Sequence, residues 1–213
     1  MSMTKTLSLL AIAGGLVTGC GSSPGAGSKA SAAHPSASPS SSTTAAGNGV
    51  NPNVPESLPP GDIPDTVAYV PYAVPGAGYT VSVPEGWSRS GAGAIVAFTD
   101  KLNKVEITAL PARSPITVAS VRSTVAPKLA STVKGFKLQS VSSVSRQAGP
   151  AVRTAYLGYS APDPVTGKFG VLAIERYDFA HKGRDVVITV SAPTGSDNVD
   201  PWRKVTDSLV FTR

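Results

Sequence analysis

The stretch Phe169-Gly170-Val171-Leu172-Ala173-Ile174-Glu175-Arg176-Tyr177-Asp178-Phe179-Ala180-His181-Lys182-Gly183-Arg184-Asp185-Val186-Val187-Ile188-Thr189-Val190 decides the fold. Phe169, Val171, Ala173, Tyr177 and Phe179 share one parity, and Val186, Ile188 and Val190 share one in the following run. A period of two belongs to strands with one buried face. His181-Lys182-Gly183-Arg184 is turn-rich and short enough for a hairpin, so the two strands are expected to pair antiparallel at the centre of a sheet.

Working outward, two more strand-like segments precede this hairpin, at about 136–147 and 151–160. Pro162-Asp163-Pro164-Val165-Thr166-Gly167 links the second of them to the central pair, and the mostly polar run Ser140 to Arg146 suits a sheet edge. Between residues 116 and 133 the period changes: Val118, Val121, Val125 and Leu129 recur at steps of three and four, the spacing of one helical face. Pro127 interrupts that pattern, which predicts a kink or a late start, and Gly135 closes it. Further upstream, Tyr79 to Val83 alternates apolar and polar, and Ala94–Thr99 and Lys104–Leu110 form a hairpin about Asp100-Lys101-Leu102-Asn103. Val105, Ile107 and Ala109 take one face, while Lys104, Glu106 and Thr108 take the other, as in an antiparallel sheet with one dry side. A last helix is signalled by Asp200 as N-cap and Pro201 at the first helical position, with Trp202, Val205 and Leu209 on one face. The expectation is an α+β domain: an αβ sandwich on an antiparallel sheet of about six to seven strands, in the order βββαββββα, with Trp202 as a lid.

The amino-terminal end has a different character. Lys5 followed by an apolar run from Leu7 to Val17 reads as an export signal, too short for the roughly 20 residues that span a bilayer. Val17-Thr18-Gly19-Cys20 matches the bacterial lipobox, so cleavage is expected between Gly19 and Cys20, with diacylglycerol on the Cys20 thiol. Cys20 is the only cysteine, which excludes disulfides and thiol-based metal sites. Residues 20–64 are Gly, Ser, Ala and Pro-rich and form the expected disordered tether, of about 35 Å root-mean-square reach. Residues 65–213 make one domain of about 150 residues with one core. The formal charge of +6 falls to +5 without the signal's Lys5, and no basic-aromatic patterning of a nucleic-acid binder is present. The expected location is the extracytoplasmic face of the cell membrane, as a lipid-anchored monomer.

The strand ending Val81-Ser82-Val83-Pro84-Glu85-Gly86-Trp87, together with the terminal segment Trp202 to Phe211 and the lipobox tether in front, resembles the PsbP-like superfamily. Within it the chain is most similar to LpqN-type lipoproteins of actinobacteria. The resemblance covers about residues 70–213 and implies a non-enzymatic accessory or ligand-binding domain, with no catalytic residues to transfer.

Residues capable of chemistry are few. His181 is the one histidine of the domain, so an envelope hydrolase, the alternative reading, would be centred there, with Asp178 or Asp185 orienting the imidazole. No Gly-x-Ser-x-Gly elbow is present. Glu175 shares the apolar parity of its strand and requires a partner, with Arg153 or Arg176 nearest in sequence terms, unless the strand twists out to solvent there, which is the favoured reading. Asp163 and the Asp197–Asp200 run lack the ligand spacing of an EF-hand, and neither metal nor cofactor is expected. Aromatic side chains are the remaining lead: Trp87, Phe98, Tyr156, Tyr177 and Trp202 are candidates to line a ligand pocket on the sheet. The expected function is a membrane-anchored, non-enzymatic binding module of the cell envelope, engaging a protein partner or a lipid or glycan ligand.

Overall fold

A computed structural model describes residues 60–73, 76–111 and 115–212. The signal, Gly19, Cys20 and most of the tether lie outside the described residues.

Among the described residues, ten strands and two helical regions follow one another. They are β1 (Tyr69–Ala73), β2 (Tyr79–Pro84), β3 (Ser88–Ala92), β4 (Ile95–Asp100), β5 (Asn103–Pro111), α1 (Val118–Ser120), α2 (Ala126–Thr132), β6 (Lys137–Arg146), β7 (Gly149–Tyr159), β8 (Val171–His181), β9 (Arg184–Pro193), α3 (Val199–Asp207) and β10 (Val210–Phe211). Seven strands form an antiparallel sheet in the order β3-β4-β5-β9-β8-β7-β6, and three form a smaller one, β1-β2-β10. The hairpin β8-β9 sits at the centre of the large sheet and β6 at its edge, as the sequence indicates. The protein is therefore an α+β sandwich. The strand from Tyr79 is not part of the large sheet: it pairs with β1 and with β10, two short strands whose patterning is too brief to be read in sequence.

The two sheets enclose the main core. Tyr79, Val81 and Val83 of β2 meet Val105 and Ile107 of β5, Tyr177 and Phe179 of β8, and Val186, Ile188 and Val190 of β9, all buried. Burial of each aliphatic side chain contributes about 1.5–3 kcal/mol. Trp202, Val205 and Leu209 close the same core from α3 and the turn after it, on the face their spacing indicates. A second, smaller cluster lies on the opposite face of the large sheet, where Val121 of the helical segment packs on Val141 and Val152 of β6 and β7.

Pro127 gives the late start that its position indicates: residues Val121–Val125 widen into a π turn, in which the Ala126 amide reaches back to the Val121 carbonyl, and the regular helix α2 begins only at Ala126, with Pro127 in its first turn. A wide turn immediately ahead of a proline accommodates its missing donor and bulky ring. At α3 the cap is Asn198, not Asp200, which lies in the first turn. The Asn198 side chain is taken up elsewhere: its Oδ1 accepts from the Ile63 amide at 2.7 Å and its Nδ2 donates to the Gly61 carbonyl at 2.9 Å.

That contact moves the domain boundary forward. Residues 61–63, placed with the tether in sequence, are stitched to the loop before α3. The Gly61 amide donates to Ser196 Oγ at 2.8 Å and the Asp197 amide to Asp62 Oδ1 at 2.8 Å, while Ile63 is buried in the main core. An isolated apolar residue in a Pro-rich stretch gives no periodic signal, so only the fold reveals its role.

Candidate functional site

The face of the large sheet opposite α3 carries a groove of about 470 Å³. Its floor is set by strand register. One row runs Lys104, Ser191, Ile174, Tyr156 across β5, β9, β8 and β7, and the next runs Glu106, Thr189, Arg176, Thr154. Leu172 extends the apolar side by one further row. Leu129 of α2 and Val133 just beyond it form one wall, and the turn Lys101-Leu102-Asn103 and the segment Tyr159-Ser160-Ala161 contribute the rest of the lining. The helix approaches closely at Gly158, where a Cβ would lie 2.7 Å from Val133 Cγ1 and 3.1 Å from Ile174 Cδ1. Gly135, at φ +67°, turns the chain out of the helix and into β6.

The lining divides into two characters. Leu129, Val133, Tyr156, Leu172 and Ile174 make an apolar half under the helix, while Lys104, Glu106, Arg176, Thr189 and Ser191 make a polar half towards β5. Charges in the polar half are internally matched. Lys104 Nζ sits 3.0 Å from Glu106 Oε2, and Arg176 donates through Nε and Nη2 to the buried Asp178 at 2.8 and 2.7 Å. A two-pronged pair of this kind fixes the guanidinium plane. Burial pushes the Tyr156 phenol up to about 12, so it stays a neutral donor at any ordinary pH. The volume is within the range of small-ligand sites, and the divided lining fits an amphiphilic molecule.

Of the five aromatic residues expected to line a pocket, only Tyr156 faces this groove. Phe98, Tyr177 and Trp202 belong to the main core on the other side of the sheet, with Trp87 partly buried against it. Strand parity is the reason: Tyr177 and Ile174 alternate to opposite faces of β8, and the large aromatics fill the face that α3 covers. The groove residues Leu172 and Ile174 were not anticipated. Their signal is present in the sequence, since β8 is apolar at both parities there, as a strand covered on both faces should be.

Glu175 does not twist out to solvent. It pairs with Arg153 and accepts a hydrogen bond from the Tyr177 hydroxyl, with its side chain 16% exposed. Tyr177 in turn accepts from Arg146 Nη2 at 3.2 Å, and Arg146 Nε donates to Thr206 Oγ1 of α3 at 3.0 Å. Burial alone would raise the Glu175 carboxyl, but the Arg153 and Tyr177 hydrogen bonds and the charges of Arg153 and Arg146 together hold it below the ordinary range. Burial, then the hydrogen bond to Glu175, pushes Tyr177 up to about 12. This network ties α3 to the sheet, and Arg146 Nε lies 3.7 Å from Asp207 Oδ1 of the same helix.

His181 stacks on Phe211, with ring centroids 4.4 Å apart and planes 12° apart. Among the described residues neither a carboxylate nor a serine hydroxyl hydrogen-bonds it, and Asp178 is engaged by Arg176. Asp163 Oδ1 accepts from the amides of Val165 and Thr166 and from Thr166 Oγ1, which makes it the keystone of its turn. A larger and shallower hollow of about 690 Å³ lies beside α3, between the polar and charged residues Asp65, Gln147, Asp200, Arg203, Lys204, Asp207 and Ser208. No described helix is long and apolar enough to cross a membrane.

No family model matches the chain, and no curated protein matches it. Solved structures to which it is similar include cyanobacterial PsbP from Synechocystis sp. PCC 6803, at 14% identity over 71% of this chain and 98% of that one, with a TM-score of 0.47. A protein of unknown function and putative regulator from Pseudomonas aeruginosa is similar at 14% identity over 68% and 98%, with a TM-score of 0.44. LpqN of Mycobacterium tuberculosis, described as involved in cell envelope biogenesis, is similar at 15% identity over 70% and 93%, with a TM-score of 0.40.

Proposed function

We propose that this protein is a lipid-anchored, extracytoplasmic binding module that holds an amphiphilic lipid or glycolipid in the groove between α2 and the large sheet. The observation that carries the reading is the divided lining: an apolar half of Leu129, Val133, Tyr156, Leu172 and Ile174 beside a polar half of Lys104, Glu106, Arg176, Thr189 and Ser191. An acyl chain suits the first and a hydroxyl-rich or charged head the second. Val17-Thr18-Gly19-Cys20 supports the anchor, and the Gly/Ser/Ala/Pro-rich residues 20–60 support a spacer between bilayer and domain. Lys104 of the groove is engaged by Glu106, and the hydrolase reading draws no support from His181, which stacks on Phe211 outside the groove lining.

The test is native mass spectrometry of the protein extracted from membranes in mild detergent, beside the variant Ile174→Glu. A lipid-sized adduct on the parent that disappears in the variant is the expected result. An empty parent protein, or an adduct that survives Ile174→Glu, would exclude the groove as the ligand site and leave a protein partner. The anchor is read separately, by incorporation of an alkynyl fatty acid that labels the parent and not Cys20→Ala.

A further inference from the structure

The positive charge of this chain is segregated. From residue 107 to residue 162 there are seven basic residues and no Asp or Glu, leaving 12 basic against 13 acidic residues in the remainder. Two of the seven, Arg146 and Arg153, are consumed by the network beneath α3, and Arg113 lies outside the described residues. The other four, Arg122, Lys128, Lys134 and Lys137, are exposed along the helical segment and at the start of the edge strand β6. Arg122 gives one hydrogen bond to the Val141 carbonyl, and none of the four forms an ion pair with a described residue. Leu138, beside Lys137, is exposed as well, so the patch carries an aliphatic side chain among its cations.

We infer that this face is an electrostatic docking surface for an anionic phospholipid bilayer. Two observations argue for that occupant. The patch is complementary in charge to such a surface, where each nearby Lys or Arg strengthens association about fivefold. The chain ahead of the described fold also ends near a bilayer: some 40 residues separate Cys20, the proposed anchor, from Gly61, where the chain is first stitched to the domain. Proximity alone rests on the anchored reading, while the patch itself does not. Leu129 and Val133 of the same helical region wall the groove, so docking through this face brings that wall to the lipid interface.

The test uses the full-length protein reconstituted into vesicles, with lysine reactivity towards an acetylating reagent read site by site. On vesicles containing phosphatidylglycerol, Lys128, Lys134 and Lys137 should lose reactivity several-fold relative to pure phosphatidylcholine vesicles, with Lys182 and Lys204, the latter on α3 across the sheet, unchanged as internal controls. High salt should restore the lost reactivity, because the attraction is screened. Equal reactivity on both vesicle types, or equal protection of the control lysines, overturns the inference. Protection of the same three lysines by soluble polyphosphate over neutral vesicles, as strong as that on the anionic ones, would overturn the bilayer in favour of an anionic polymer. A protein that fails to insert speaks against the anchor alone, and the footprint is then taken with vesicles in excess.

Discussion

Glu175 illustrates how much a single carboxylate depends on what the chain brings to it. Parity places it on the apolar face, but only the register of β7 against β8 brings Arg153 within reach, and only α3 adds the Arg146 branch through Thr206. Replacing it by Gln leaves Arg153 without its countercharge, and Glu175→Gln should cost about 2–3 kcal/mol, below the figure for a fully buried pair because Arg153 is partly solvated. Chemical denaturation measures that directly. The pH dependence follows from the depressed carboxyl: the unfolded chain binds the proton more readily, so the pair's contribution is fully present above the ordinary Glu range near about pH 4.3 and is lost as pH falls through the lower folded value. The acid limb of the stability curve should therefore be shallower in Glu175→Gln than in the parent. Gly158 makes the complementary case, a residue selected by what approaches it. Gly158→Ala forces a Cβ against Val133 and Ile174, and should cost about 1–3 kcal/mol and weaken any groove ligand, visible in the melting temperature and in the adduct fraction.

Elements were legible in proportion to their length. The hairpin β8-β9 and the helical face Val118-Val121-Val125-Leu129 carry several periods of their pattern, β6 was legible from its polar run, and each stands where that signal places it. The strands β1 and β10 offer five residues and two, too few for a period to show, and they acquire a role only by pairing with β2. The cap of α3 failed for another reason. Asp200 has the chemistry of a cap, but Asn198 precedes it and is needed to hold Gly61 and Ile63, so the helix starts early and its cap side chain points away to residues 61–63, a strap across the loop before α3. Asn198→Ala should therefore act at a distance from α3. It removes two hydrogen bonds to the strap and should cost about 1–3 kcal/mol, and amide exchange at Ile63 should accelerate well before exchange in β2 does. Equal acceleration in both would mean that the strap is not held independently.

At the scale of the whole molecule, the large sheet has two unlike faces. One is sealed by the small sheet, α3 and the strap around Tyr79, Tyr177 and Trp202, and the other is covered only partly, leaving the groove beside α2. Tyrosine ionisation reports on both at once, since Tyr177 lies on the sealed side and Tyr156 on the open side, each pushed up to about 12 chiefly by burial. Neutral phenols are favoured in the folded state, so stability should be intact below the ordinary tyrosine value of 10.0 and decline as pH rises towards about 12. Absorbance near the phenolate band should show these two tyrosines titrating late, and a ligand bound in the groove should delay Tyr156 further while leaving Tyr177 unmoved. The sequence by itself determined the antiparallel centre of the sheet, the two helical faces and the expectation of an exported, lipid-anchored chain, because periodicity and short motifs are written locally. Tertiary structure alone decided which face of each strand is sealed, why Phe98, Tyr177 and Trp202 are core rather than pocket, and where the uncompensated cations gather. Those outcomes depend on which elements cover one another, a relation between residues far apart in sequence that no local pattern encodes.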